Sequence, residues 1–203
     1  MMHPAVGLVV AYLLGSIPAA YLAGKAHGID LRTQGSGNLG ATNAWRVLGW
    51  PTGLAVYAFD TLKGALPVLL LPGLLHAEPA AHWALGYGLA AIVGHVKPIF
   101  LLGRGGGKGV ATAGGVFAAL APLALLVAFA VFAVVLLASG YVSLGSLSAA
   151  VALPIAIAVL YGVRAPLFGV SVLVALFVFW SHRANIGRLK RGEESRFRRR
   201  ETR

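Results

Sequence analysis

The chain has 203 residues, carries 17 Lys and Arg against 6 Asp and Glu for a formal net charge of +11, and is 58% hydrophobic. So apolar and so sparsely charged a composition excludes a disordered polymer and argues against a water-soluble globule. With no cysteine there is no disulfide framework, thiolate metal site or cysteine nucleophile, and nucleic acid is not expected as a partner because 9 of the 17 basic residues follow Ser181 in one short tail.

Apolar runs at 4–24, 52–75, 82–102, 146–162 and 166–181 are each of a length to cross about 30 Å of hydrocarbon as a helix. The first is counted as a span rather than a signal peptide. It lacks a basic leading region and carries Gly15, Ser16, Pro18 and Tyr21 where a leader would be Leu-rich. The 29 residues 110–138 would make one helix of roughly 43 Å, too long for a single untilted span and short for two. Crossing once, with the Arg-rich tail cytoplasmic, would put Lys25, Arg32, Arg46, Arg104 and Lys108 outside, against the positive-inside rule. Broken at Pro122 into two short helices, it brings those five inside and leaves Arg164 as the outer loop cation. The expected fold is therefore an all-α integral membrane bundle of about seven transmembrane helices, with the fourth and fifth short or broken. The N-terminus lies outside and the C-terminus in the cytoplasm. Residues 1–182 form a single transmembrane catalytic domain and 183–203 a basic cytoplasmic tail.

The same parity puts three polar, Gly-rich segments on one face, which predicts one composite site. In the first, Gly35-Ser36-Gly37-Asn38-Leu39-Gly40 matches G-x-G-x-x-G formally, yet no βαβ unit surrounds it. Its close glycines free backbone N–H groups for an anion, Ser36, Asn38, Thr42 and Asn43 add neutral donors, and Arg46 adds a forked cation. A re-entrant turn with capping Asn and Ser side chains is the plainer alternative. In the second, Arg104 and Lys108 flank Gly105, Gly106 and Gly107 just before an apolar helix. The Walker form fails, since Leu102 stands at its first glycine and Gly109 follows the lysine, so nucleotide hydrolysis is disfavoured. A Gly-rich loop with Lys at a helix start still attracts anions, and contact with lipid phosphates is the alternative. In the third, Ser143 and Ser146 either donate to a phosphate or bond their own helix.

These motifs occur in order along nearly the whole chain: GSIPAAYLAGK, GSGNLGATNAWR, Asp60 with Lys63-Gly64, GHVKPIF, GGKGVAT, YVSLGS and HRANIGRLKRGEE. In them the sequence resembles the bacterial acyl-phosphate:glycerol-3-phosphate acyltransferases of the PlsY type. The resemblance implies a small enzyme of the bacterial inner membrane with its motifs on the cytoplasmic side. It would move an acyl chain from acyl phosphate to the sn-1 hydroxyl of glycerol 3-phosphate, giving lysophosphatidic acid and inorganic phosphate in the first step of phospholipid synthesis. The usual Phe-Lys-Gly-Gly-Lys-Gly is altered here by Gly103, Arg104 and an extra glycine, so Arg104 is a weaker match than Lys108.

The chemistry agrees with that implication. Two phosphate-bearing substrates require neighbouring anion sites and an acyl groove open to lipid. The sequence has no G-x-S-x-G elbow and no His-x-x-x-x-Asp box, and a mixed anhydride needs no acyl-enzyme to react with a hydroxyl. Ser36, Arg46, Lys108 and His182 are assigned as catalytic; Gly37, Asn38, Gly40, Thr42, Asn43, Arg104, Gly106, Gly107, Ser143, Ser146 and Asn185 as substrate-binding. His182 and Asn185 share a helical face, and the hydroxyl proton goes either to His182 or to a phosphate oxygen. An interfacial anchor is the other role open to His182. Asp60 and Lys63, mid-span, should face the interior and pair with each other or with motif residues; His95 suits a hydrogen bond across helices as well as proton transfer. No cofactor is expected, and the six histidines show no metal-ligand spacing. The expected partners are the two substrates and the bilayer, with the chain a monomer. A small anion transporter is the competing class, but it should show two related halves, and no internal repeat is found.

Overall fold

The computed structural model describes residues 3–197, all in helices, turns and loops, with no strand among them. The chain divides into two compact units, Met1–Leu120 and Ala121–Arg203.

In the first unit, α1 (Ala5–Ser16) and α2 (Ala19–Ala26) form one apolar segment interrupted at Ile17, which is pushed into extended geometry (ψ 114°) by the following proline. After the first Gly-rich loop come α3 (Ala41–Leu48) and α4 (Trp50–Leu74), the latter started by Pro51 in its first turn. Next is α5 (Ala80–Val96), extended by a 3₁₀ turn at Ile99–Leu101. The second Gly-rich loop follows, then α6 (Val110–Leu120). Helix α4 packs against α1, α3, α5 and α6, and α1 against α5. Two of these seams are glycine-to-backbone contacts. A Cβ at Gly15 would overlap the Ala91 carbonyl and one at Gly94 the Tyr12 carbonyl; Gly64 and Gly115 stand likewise against the carbonyls of Thr112 and Thr61. Small residues let helices approach where the surrounding solvent gives no hydrophobic drive to associate.

The second unit contains α7 (Pro122–Ser139), α8 (Val142–Tyr161), α9 (Pro166–Ser181) and α10 (Arg183–Arg191). Helix α8 packs between α7 and α9, and α10 turns 56° away from α9. Leu137 on α7 is 85% exposed, as suits a lipid-facing side chain. Residues 193–197 fold back onto the start of α8. The Phe197 N–H donates to the Gly140 carbonyl at 2.6 Å, and Arg196 lies over the Tyr141 ring, 5.3 Å from its centroid. Gly192, in the left-handed region (φ 72°), reverses the chain after α10. The arginine-rich end at 198–203 lies outside the described residues.

Among the described residues five segments are long and apolar enough to cross a membrane: Ala5–Ala26, Trp50–Leu74, Ala80–Leu101, Pro122–Ser139 and Val142–Tyr161; the bent α9–α10 pair, taken as one span, makes six. The 110–138 stretch does break at its proline, with Pro122 opening α7. At 11 residues, α6 spans only about 16 Å, short of a full crossing.

Candidate functional site

The predicted site residues fall into two groups, one in each unit. In the first unit the two Gly-rich loops meet. A Cβ at Gly105 would lie 3.3 Å from Arg32 Cδ and 3.7 Å from Leu39 Cδ1, and one at Gly107 3.0 Å from the Leu39 carbonyl oxygen. Asn43, 1% exposed, organises the first loop from α3. Its Oδ1 accepts from the Ser36 N–H at 2.9 Å, while Nδ2 donates to the carbonyls of Leu31 (3.2 Å) and Gln34 (3.1 Å). The Asn43 side chain thus closes the loop, while the Ser36 side chain is left exposed between Gly35 (φ 58°) and Gly37 (φ 70°). Asn38 folds over Gly40, whose added Cβ would stand 2.8 Å from Asn38 Nδ2. Gly40 in extended geometry (φ −140°) caps the start of α3, Thr42 sits half-buried in its first turn and Arg46 is exposed in its last.

At the second loop, Arg104 is exposed and Lys108 half-buried just ahead of α6. Leu102, at the position where a Walker loop has glycine, takes a glycine-like φ of 53°. Arg32 grips Asp30, with Nη2 2.6 Å from Oδ2, and this hydrogen bond holds the Asp30 carboxyl down at about 2.

Below the loops lies a buried ionic cluster. Asp60 Oδ1 is 2.7 Å from Lys63 Nζ and 3.4 Å from His95 Nδ1, and Lys63 also donates to the Ile17 carbonyl at 2.9 Å. Asp60, Lys63 and His95 are all buried, so the interior pairing expected of the first two is present and His95 completes it from α5. Oδ1 has no well-aligned hydrogen bond despite these short approaches, so charge proximity carries the contact. The Thr112 hydroxyl, also buried, has no hydrogen-bond partner.

In the second unit a carboxylate gathers the site residues. Glu194 Oε1 accepts from Ser143 Oγ at 2.7 Å and Asn185 Nδ2 at 2.6 Å, and its Oε2 accepts from Arg188 Nε at 2.7 Å. Burial alone would raise its carboxyl, but the donors from Asn185, Ser143 and Arg188 outweigh burial and hold it below the usual glutamate range. His182 is buried at the α9–α10 bend, with Nδ1 2.8 Å from the Val178 carbonyl. A carbonyl only accepts, so the proton sits on Nδ1 and neutral His182 carries its basic lone pair on Nε2. The Ser146 hydroxyl donates to the Val142 carbonyl of its own helix at 2.9 Å.

Residues 5–192 match the sequence profile of the family described as glycerol-3-phosphate acyltransferase. The chain belongs to that family. A glycerol-3-phosphate acyltransferase of Trichlorobacter lovleyi is 52% identical over 92% of this chain and 94% of its own length. One from Thermus thermophilus is 43% identical over 93% and 92%. The crystal structure of PlsY, an integral membrane glycerol 3-phosphate acyltransferase, in its glycerol 3-phosphate form superposes with a TM-score of 0.89 at 36% identity, covering 96% of each chain. Its lysophosphatidic acid form superposes at 0.84 with the same identity, over 95% of this chain and 94% of that one.

For this glycerol-3-phosphate acyltransferase family member, sequence reasoning missed Glu194. The signal available was a pair of carboxylates, Glu193 and Glu194, directly after a glycine in an otherwise basic tail. The organising role of Asn43 was also missed, since an Asn in a polar loop reads equally as a ligand donor.

Proposed function

We propose that this membrane protein transfers a fatty acyl group from acyl phosphate to the sn-1 hydroxyl of glycerol 3-phosphate. The observation that carries the reading is the meeting of two Gly-rich, cation-bearing loops in a chain that matches the family over residues 5–192. Arg46 and Lys108 bind phosphate, aided by backbone N–H groups of the loops and the Ser36 hydroxyl. The hydroxyl oxygen attacks the acyl carbonyl carbon, the carbon–oxygen bond to phosphate breaks, and inorganic phosphate leaves with the bonding pair. The hydroxyl proton passes to His182 Nε2 or to a phosphate oxygen. Catalysis is then mainly positioning and neutralisation of the growing charge on the leaving phosphate, with no acyl-enzyme.

In this reading the chain is a multi-pass protein of the bacterial inner membrane with its Gly-rich loops cytoplasmic, as the distribution of loop cations favours. The test is phosphate release by the purified protein from a long-chain acyl phosphate. Release should require glycerol 3-phosphate and yield lysophosphatidic acid in equal amount. Release without the acceptor, or none with it, refutes the assignment. Intact-protein mass spectrometry with acyl phosphate alone should show no adduct; a stoichiometric adduct discharged by glycerol 3-phosphate at the turnover rate refutes direct transfer.

A further inference from the structure

Asp60, Lys63 and His95 take no part in the reaction just described, yet they lie against one of its two loops. The imidazole has two occupied edges. Nδ1 faces Asp60 Oδ1 at 3.4 Å, and Nε2 abuts Gly107 so closely that not even a methyl group fits there. The same residue holds the loop through its backbone, since the His95 carbonyl accepts from the Gly107 N–H at 3.3 Å, and Gly106 is pressed against the Val96 carbonyl. Between the three side chains and glycines 105–107 is a cavity of about 10 Å³, the room of a single water. The loop is thus seated on the ring of His95, and Lys108 is the next residue.

We infer that Asp60, Lys63 and His95 are a positioning network that sets the path of loop 105–108 and so the place of Lys108. The inference rests on the reading of Lys108 as a phosphate-binding residue. In a low-dielectric interior an unpaired carboxylate is costly. Lys63 compensates Asp60 and is itself anchored to the Ile17 carbonyl, where Pro18 breaks the first span. Asp60 so fixed keeps the Nδ1–H edge of His95 turned inward. The opposite edge then stays under Gly107. A plain structural ion pair would lock α4 to the first span but would not involve the orientation of His95.

Three variants separate these roles in full-length protein reconstituted in lipid nanodiscs. Asp60→Leu/Lys63→Met removes both charges together, so no buried charge is left alone, and removes the acceptor for His95. Asp60→Asn/Lys63→Gln removes the charges but keeps an acceptor and a donor. His95→Gln leaves the ion pair whole but has no Nδ1–H to offer it. In the Leu/Met and His95→Gln proteins, amide hydrogen exchange at 105–109 should rise about tenfold while α4 and α5 stay protected, and KM for glycerol 3-phosphate should rise about tenfold. The Asn/Gln protein lacks the charges that carry the contact and should shift with those two proteins in both readouts.

Parental exchange at 105–109 in either folded variant overturns the proposal, as does failure of both to fold, which would show that the network holds the helices rather than the loop. Lys108→Ala should keep parental loop exchange and lose activity. Retained activity there removes the phosphate role of Lys108, while the exchange data still decide the network.

Discussion

Glu194 offers the sharpest test of the second unit. In Glu194→Ala the Ser143 hydroxyl and the Asn185 amide, both buried, lose their shared acceptor, and Arg188 loses a charge-assisted bond. Each buried donor left without this acceptor costs about 1–3 kcal/mol, part of which is offset because a buried carboxylate no longer needs desolvation. The expected net loss is about 2–5 kcal/mol, with Glu194→Gln nearer 1–2 because one oxygen acceptor survives. Thermal unfolding in detergent measures it, with glycerol 3-phosphate KM as a second readout. The pH dependence has a definite sign. The folded carboxyl lies below 4.5, so the advantage of the parent over Glu194→Gln is full above that value and is lost as pH falls through the lowered folded value. An Ala variant with parental melting temperature and KM, or a parent–Gln gap that widens on acidification, refutes the reasoning.

Further outcomes follow from the first unit. Lys108→Ala should abolish acyl transfer without lowering the melting temperature, and Arg46→Lys should lose at least about tenfold in kcat/KM because an ammonium cannot reproduce a forked pair of donors; near-parental rates in both discard the phosphate cradle. Asn43→Asp should be as damaging as Asn43→Ala, by about 2–4 kcal/mol, since a carboxylate turned toward the Leu31 and Gln34 carbonyls has no hydrogens to give them; a fully stable Asp variant removes the loop-closing role. Because the native chain has no cysteine, Arg104→Cys reports sidedness directly. It should be labelled only by reagents that reach the cytoplasmic face.

Much of this was legible in the residues, for physical reasons that differ by element. Apolar length and proline geometry predicted the break at Pro122, and the cost of charge in hydrocarbon predicted that Asp60 and Lys63 would be paired in the interior, with each other or with motif residues. The nearness of the loops holding Ser36 and Lys108 followed from counting crossings, which needs no packing detail. Glu194 was not legible in the same way. Its role depends on a chain reversal at Gly192 that brings it back to Ser143, 51 residues earlier, and no local periodicity records such a return. Asn43 and Ser146 show the other limit: their chemistry suits a ligand and a backbone carbonyl equally, and the carbonyls they reach are set by the fold.

The four interhelical glycines carry a consequence for genetics. At Gly15, Gly94, Gly64 and Gly115 the neighbour is main chain, which has no alternative rotamer to retreat into, so even alanine must separate the helices. A growth-based scan of every substitution should therefore score these positions inside apolar helices as severely as Lys108. Fitness alone would draw a false reaction centre around them. Dividing each score by the amount of protein reaching the membrane should restore the distinction, returning the glycines to tolerance per molecule and leaving Lys108 inert.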